Sequence, residues 1–265
     1  MYSRAVRSGL LPALVVGVVL AAALISPSRP STGPLVCYGY GYGCGAPIVT
    51  KLWPFAGPIT GGTTIDISGS NFNNNAPGTQ PIVKFGTTPA TSVTLMSDSW
   101  IRVVSPAHAA GVADVRVTTA AGTNTAGQAL YRYVSASWCA IFELSKMPTT
   151  WIQNQTKSFT IVAFNCGMKT WPATGYYRVD SNVHFTTKRG PGFQNQAFWL
   201  GQNYHNLSKN IASNRGALIR ITLTPRFHGT VYLEAEMIKL HQFWFSRYLS
   251  RPPQFMSRLV VVTSH

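Results

Sequence analysis

The stretch that decides the fold covers residues 47–72 and has the sequence PIVTKLWPFAGPITGGTTIDISGSNF. Its short apolar start at 47–50 leads into a cluster of Gly and Pro at 54–62, which predicts a turn. Residues 63–67 then alternate between apolar and polar side chains, which is the period of a half-buried strand. A second turn is predicted at 69–71. Strand, tight turn and strand at this spacing are typical of a β-sandwich.

The composition of the whole chain favours an extracellular β protein. Of the 265 residues, 45% are hydrophobic and 12% are aromatic, which is enough for one large domain or two ordinary ones. Only 11% are charged, against about 25% in typical soluble domains. The surface is therefore expected to consist mainly of Ser, Thr, Asn, Gln and Gly.

Residues 1–26 predict export as a signal peptide or a signal-anchor helix. Arg4 and Arg7 precede an uncharged apolar run over residues 9–26, which is the arrangement of an export signal. Small residues near the end of the run offer a cleavage site, but the run is also long enough to span a bilayer. If it is retained, the two arginines keep the N-terminus in the cytoplasm and the later domains outside. The sequence leaves cleavage and retention open.

The four cysteines also fit an oxidising compartment. Cys37 and Cys44 lie in the segment 27–46, whose Pro, Gly and Tyr content predicts a linker, and Cys139 and Cys166 lie in the C-terminal half. Of the three connectivities that four cysteines allow, local pairing of Cys37 with Cys44 and of Cys139 with Cys166 is the simplest. No Cys-x-x-Cys pair occurs in the sequence, which argues against a zinc site on thiolates.

Residues 47–134 are predicted to form one complete sandwich of about seven strands. Turn residues separate all of its short apolar segments, which include 82–86, 92–96, 100–104, 111–118 and 129–133. The motifs PITGGTTI at 58–65, GSNF at 69–72, VKFG at 83–86, IRVVSP at 101–106, GVADVRVT at 111–118 and YRY at 131–133 resemble the IPT/TIG immunoglobulin-like domain. This resemblance implies an immunoglobulin-like fold that serves as a spacer or a binding module.

Residues 138–265 are predicted to form a second sandwich, with strands at 159–164, 176–179, 217–225, 230–237 and 258–263. Asn165 and Gly167, the sequence TWP at 170–172, the GTVY at 229–232 and the aromatic ending at 243–245 resemble the immunoglobulin-like four-tryptophan domain of autophagy receptors and bacterial surface proteins. Ile161 stands where that family usually has its first tryptophan, and Ala235 or Glu236 stands near a later one. The resemblance therefore implies the fold of residues 138–265 and leaves their ligand open. The predicted fold class is all-β, with two tandem immunoglobulin-like sandwiches after an N-terminal hydrophobic helix.

No motif for catalysis, a metal or a cofactor is found. Glu234 and Glu236 share one face of a predicted strand, and a solvated face paired with Arg220 or Arg226 on a neighbouring strand is expected there. The spacing of four histidines in the C-terminal half follows no metal-ligand motif; these four are His184, His205, His228 and His241. The sequence also lacks a nucleophile elbow and a phosphate-binding loop before a helix. The chain is therefore predicted not to be an enzyme.

The positive charge is concentrated in the second sandwich. Residues 138–265 contain 14 Lys/Arg and 4 Asp/Glu, which gives a net charge of +10. Residues 47–134 contain 5 Lys/Arg and 3 Asp/Glu, which gives a net charge of +2. Such an asymmetry favours a polyanionic partner. Trp171 and Trp244 are expected in the core, and Trp199 is the best candidate for a stacking surface. The predicted ligand-binding residues are Lys188, Arg189, Trp199, Arg220, Arg226 and Arg247.

Together these features predict an exported, non-catalytic protein of the cell surface, either released or membrane-anchored, with an IPT/TIG stalk and a basic binding domain. The expected partners are a cell-surface protein, a glycan or an anionic polymer, and also the membrane if the N-terminal segment is retained. Nucleic acid is a less favoured partner. Two alternatives stay open: a DNA-binding regulator, because IPT/TIG domains also occur in transcription factors, and an accessory module of a carbohydrate-active system.

Overall fold

A computed structural model describes residues 45–73, 79–173, 177–185, 204–239, 243–244 and 256–264. All the regular structure in these ranges is β, which confirms the predicted all-β, immunoglobulin-like fold class. The predicted N-terminal helix lies outside the described residues, and within the described ranges no helix is long and apolar enough to cross a membrane. The strands are β1 Ile48–Trp53, β2 Ala56–Pro58, β3 Thr64–Ser70, β4 Ile82–Phe85, β5 Thr88–Pro89, β6 Ser92–Ser97, β7 Trp100–Val104, β8 Gly111–Thr119, β9 Gly122–Thr123, β10 Leu130–Val134, β11 Ala140–Glu143, β12 Thr150–Ile152, β13 Lys157–Asn165, β14 Tyr177–Phe185, β15 Tyr204–Asn206, β16 Gly216–Leu223, β17 Gly229–Lys239, β18 Phe243–Trp244 and β19 Met256–Thr263.

The first sandwich packs two sheets against each other. One sheet has the order β1-β3-β7-β6, and the other has the order β2-β10-β8-β4-β5 with β9 paired to β8. The predicted alternation over 63–67 holds, because Ile65 and Ile67 on β3 are fully buried while Thr64 is exposed. The core between the sheets includes Phe85, Val115 and Tyr131.

The Gly/Pro cluster at 54–62 contains a strand that the sequence pattern does not reveal. β2 leaves the sheet of β1 and pairs in parallel with β10 of the opposite sheet, with Ala56 opposite Arg132 and Pro58 opposite Val134. The predicted turn is therefore wrong over residues 56–58 and begins only after them. Ala, Gly and Pro are poor strand formers, but these three residues are buried, so their small side chains fit where the chain crosses between the sheets.

Gly57 on β2 has no room for a side chain. A Cβ at this position would collide with the hydroxyls of Tyr131 and Thr63, two buried residues. Burial raises the pKa of Tyr131 to about 12, and the hydroxyls of Thr63 and Ser105 only partly oppose this effect. The site is therefore tightly packed around a phenol that stays neutral.

We expect Gly57→Ala to lower the free energy of unfolding by about 1–3 kcal/mol, because overpacking a closed site forces its neighbours apart. Urea denaturation followed by tryptophan fluorescence measures this change. Gly216→Ala on β16 is the matched control, since a Cβ there meets its neighbours at 3.4–3.6 Å, an ordinary contact distance. Equal stability of the two variants would contradict the close packing of β2.

The second sandwich has the same two-layer plan. One sheet has the order β11-β13-β16, and the other has the order β12-β19-β17-β14-β15 with β18 paired to β17. The five strands predicted in residues 138–265 correspond to β13, β14, β16, β17 and β19. Trp171 is fully buried in the core together with Trp151, as expected of Trp171. Trp244 lies on β18, and its side chain is outside the described part of the chain.

The expected pairing of Glu234 and Glu236 with Arg220 or Arg226 is wrong. On β17, Glu234 lies opposite Asn182 and Ser257. Arg220 on β16 lies opposite Thr160 in the other sheet. The prediction fails because β16 and β17, although consecutive in the sequence, belong to different sheets, so the connection between them crosses the sandwich instead of forming a hairpin.

Candidate ligand-binding groove

Two of the six predicted ligand-binding residues lie in the described part of the chain. Arg220 projects from β16, where its neighbours Ile219 and Ile221 are buried, and it is exposed to solvent. Arg226 is also exposed, in the connection from β16 to β17. Neither guanidinium forms an ion pair with any described residue. The other four candidates, Lys188, Arg189, Trp199 and Arg247, lie outside the described residues.

Three more exposed cations lie at one end of the second sandwich. Lys169 belongs to the loop after β13, and Lys209 and Arg215 belong to the loop before β16. The two loops are held together by reciprocal backbone hydrogen bonds of 2.8 Å between Trp171 and Ile211. The ammonium of Lys169 also lies 6.0 Å from the ring centroid of Trp138. The described surface of this sandwich therefore has basic groups at this end as well as along β16.

An apolar cluster joins the two sandwiches. Ala56 and Val134 of the first meet Ile141 and Phe164 of the second, with Trp53, Phe55 and Ala136 packed against them. The predicted disulfide between Cys139 and Cys166 is confirmed, and both cysteines belong to this same cluster. The predicted pair of Cys37 and Cys44 lies outside the described residues.

Polar contacts reinforce the junction between the sandwiches. The Asn214 amide Nδ2 of the second sandwich donates a 2.8 Å hydrogen bond to the carbonyl of Gly61. The Thr63 hydroxyl donates to the Asn214 Oδ1. The Lys51 ammonium of β1 lies 2.6 Å from the Glu143 carboxylate of β11. Burial raises the pKa of Glu143, but the contact with Lys51 and the hydrogen bonds from Ser145 outweigh that effect and lower the pKa overall.

A groove of about 320 Å³ lies beside this junction. Its first wall comes from the β1–β3 side of the first sandwich, and its second wall comes from β13 and β16 of the second. The side chains that shape it are Trp53, Thr64, Asp66, Val162, Phe164 and Leu218. The groove is shallow and open to solvent, and its volume is at the lower end of the range of about 300–1,000 Å³ that is usual for ligand sites. The groove was not predicted from the sequence.

The strand period places these side chains in the groove. Because Ile65 and Ile67 point into the first core, Thr64 and Asp66 point outward from β3. On β16 the buried residues are Ile219, Ile221 and Leu223, and Leu218 is 71% exposed. Single exposed apolar side chains are ordinary, but Leu218 lies in one wall of a concave surface that also contains Trp53.

Asp66 is held in place by its neighbours across the sheet. It lies opposite Trp53 on one side and Arg102 on the other. Arg102 donates two hydrogen bonds to the carboxylate, 2.8 Å from Nε and 3.2 Å from Nη2. The indole Nε1 of Trp100 donates a third, of 3.1 Å, to the same Oδ1. The carboxylate is therefore fixed and its charge is balanced by a guanidinium.

The lining residues supply an aromatic surface, a hydroxyl and one carboxylate, which suits the binding of a ligand. Among the described residues no group of His, Cys, Asp and Glu is placed to hold a metal ion. Of the histidines considered above, His228 is exposed and its Nδ1 lies 3.3 Å from Gln153 Oε1. Burial lowers the pKa of His205 to about 4, which keeps it neutral at ordinary pH.

Comparison with known proteins identifies the first sandwich. The family model of the IPT/TIG domain matches residues 47–133, so the resemblance predicted for this segment is confirmed and the segment is an IPT/TIG domain. The resemblance of residues 138–265 to the four-tryptophan domain stays a prediction. A search of curated protein sequences gave no match.

Among solved structures the chain is similar to several multidomain proteins. Against SGBP-B of the Bacteroides ovatus mixed-linkage glucan utilization locus, solved with a mixed-linkage heptasaccharide, the identity is 12% and the TM-score is 0.37, over 79% of this chain and 43% of that one. Against the Yersinia pseudotuberculosis adhesin InvE the identity is 14% and the TM-score is 0.25, over 84% of this chain and 61% of that one. Against gamma-CGTase from alkalophilic Bacillus clarkii the identity is 15% and the TM-score is 0.30, over 85% of this chain and 28% of that one. The chain thus spans less than two thirds of each of these three structures.

Proposed function

We propose that the protein is an exported, non-catalytic binding protein of the cell surface. In this proposal residues 1–26 direct export, residues 27–46 are a linker, the IPT/TIG sandwich at 47–134 is a stalk, and the sandwich at 138–265 binds an anionic polymer. The observation that supports it best is the net charge of +10 on residues 138–265, together with the exposure of Arg220 and Arg226 without an ion-pair partner among the described residues.

The physical basis is long-range attraction between a basic surface and a polyanion. The electrostatic field of an exposed cation is not cancelled when it has no carboxylate partner, so such cations concentrate a polyanion at the surface. Added salt screens this attraction. The cations of the IPT/TIG sandwich contribute less, because two of them, Arg102 and Arg116, are paired with Asp66 and Asp114. Binding is therefore expected to depend on the second sandwich and on ionic strength.

We expect Arg220→Ser/Arg226→Ser to weaken binding to heparin, used here as a probe polyanion, by about tenfold to thirtyfold. Each cation near an anionic surface contributes about 1 kcal/mol to the binding free energy, so losing two of them corresponds to a change of this size in the dissociation constant. Retention on heparin resin and titrations at several salt concentrations measure the change, and the variant should also show a shallower salt dependence.

The matched control is Lys84→Ser/Arg132→Ser, which removes the same two charges from the IPT/TIG sandwich. If this control weakens heparin binding as much as Arg220→Ser/Arg226→Ser does, only net charge matters and the second sandwich is not the binding domain. If the wild-type chain shows no salt-sensitive binding to heparin or to polygalacturonate, the proposed function is wrong.

A further inference from the structure

We propose that the groove between the two sandwiches is a binding site for a neutral oligosaccharide. This site goes beyond the proposed function, since it uses Trp53, Asp66 and Leu218 instead of the exposed cations and takes a ligand of different chemistry. It is formed only where the IPT/TIG sandwich and the second sandwich meet, so neither sandwich alone contains it.

The carboxylates of the groove and its rim are paired with cations, so the described lining itself has no unpaired charge, which favours a neutral ligand. Arg220, which forms no ion pair with any described residue, lies outside the lining, two residues beyond Leu218 on the same face of β16. The Asp66 carboxylate is paired with Arg102, and the Glu143 carboxylate on the second sandwich is paired with Lys51. Glu143 lies opposite Val162 in the register of β11 and β13, so this second pair lies next to the groove wall. An anionic chain placed here would face the Asp66 carboxylate, whereas an uncharged one meets no net charge.

The groove combines a flat aromatic surface with hydrogen-bonding groups, and a sugar ring matches both. The Trp53 indole is partly exposed and lines the groove, and the negative face of an indole attracts the weakly positive C–H groups on the flat side of a pyranose ring. The Thr64 side chain is exposed, and its hydroxyl can donate and accept. A carboxylate offers about four acceptor positions, and three are used by Trp100 and Arg102, so Asp66 can accept one more bond from a sugar hydroxyl.

The walls of the groove are already held in position. The apolar cluster containing Phe164, with Trp53 packed against it, joins the two sandwiches on one side. Asn214 joins them again, because its amide donates to the Gly61 carbonyl and its Oδ1 accepts from the Thr63 hydroxyl. A site whose parts are fixed before binding loses less conformational entropy when the ligand arrives. This arrangement compensates for the small area that a short oligosaccharide buries.

The test uses the full chain and titrates it with soluble hexasaccharides of β-1,4-glucose, β-1,4-mannose and α-1,4-glucose. Calorimetry and the change in the intrinsic tryptophan fluorescence of the chain measure binding, and the fluorescence change that Trp53→Ala removes is assigned to Trp53. We expect at least one of the three to bind. Trp53→Ala should weaken that binding by about tenfold, and Leu218→Ser should weaken it several-fold. Binding should change little between low and high salt, because no ion pair forms with the ligand.

Leu218→Ser keeps the test decisive if Trp53→Ala fails to fold, because Leu218 is 71% exposed and its loss opens no cavity. Its matched control is Leu259→Ser on β19 in the other sheet, where the leucine is 45% exposed. No binding of any of the three sugars, or equal binding by Leu218→Ser and Leu259→Ser, would overturn the proposal. Heparin binding that depends on Arg220 and Arg226 in the absence of any sugar binding would overturn the groove and leave the proposed function standing.

Discussion

The Asn165→Ala variant should lose about 3–5 kcal/mol of unfolding free energy, the largest effect expected of any single substitution considered for this chain. Asn165 is completely buried at the end of β13. Its amide Nδ2 donates to the carbonyls of Lys169 at 2.8 Å and Ile211 at 2.9 Å, and its Oδ1 accepts from the amide of Gly167 at 3.0 Å. Alanine removes the hydrogen bonds of this side chain with the Gly167 amide and the Lys169 carbonyl, and one of the two bonds to the Ile211 carbonyl, which keeps its bond from the Trp171 amide. Each buried group left without a partner costs about 1–3 kcal/mol.

The variant Asn210→Ala is the matched control for this measurement. Asn210 is an exposed asparagine of the same region, and its Oδ1 accepts a single hydrogen bond of 2.8 Å from the amide of Ala173. Chemical denaturation of both variants should give a loss below about 1 kcal/mol for Asn210→Ala. Similar losses for the two would mean that the buried amide of Asn165 does not organise the turn at 165–167.

Breaking the disulfide between Cys139 and Cys166 should cost about 3–4 kcal/mol. The bond closes a loop with a sequence separation of 27 residues, and on the chain-entropy account closing a loop of this length stabilises the fold by that amount. Both sulfurs are buried in the apolar cluster that joins the two sandwiches, so the loss should appear at the junction as well as in the second sandwich.

The measurement compares urea denaturation with and without a reductant in a chain that carries Cys37→Ser and Cys44→Ser. In that chain only the pair Cys139 and Cys166 responds to the reductant. The reduced form should unfold at a clearly lower urea concentration. Unchanged denaturation midpoints would show that the bond adds nothing to stability, and Cys139→Ala/Cys166→Ala provides the same comparison without a reductant.

Much of the fold could be predicted from the sequence because one face of each long strand is buried. The alternation around Ile65, Ile161 and Ile219 gives the strands β3, β13 and β16, and it also gives the exposure of Arg220 between two buried isoleucines. β2 could not be predicted, because its residues are poor strand formers and its partner β10 comes more than 70 residues later. The predicted pairing of Glu234 and Glu236 with Arg220 is wrong for a similar reason, because the alternation of apolar residues predicts where β16 and β17 lie in the sequence but not which strands they pair with.

The groove depends on packing that no local pattern contains. Trp53 and Asp66 come from one sandwich and Leu218 comes from the other, and only the apolar cluster at the junction brings them together. The one available sign in the sequence was Leu218, an apolar residue at an outward position of a strand. The charge asymmetry, in contrast, follows from a count of residues alone, and it predicts Arg220 and Arg226 as ligand-binding residues without any knowledge of the geometry.

The parallel pairing of β2 with β10 has a mechanical consequence. Because the two strands run in the same direction, tension between Ala56 and Val134 pulls them past each other lengthwise, and the hydrogen bonds between them resist together instead of opening one after another. β12 and β19 pair in parallel in the same way near the two ends of the second sandwich, with Thr150 opposite Val261 and Ile152 opposite Thr263. Each sandwich therefore has one pair of parallel strands whose hydrogen bonds are loaded in shear when the chain is pulled from its two ends.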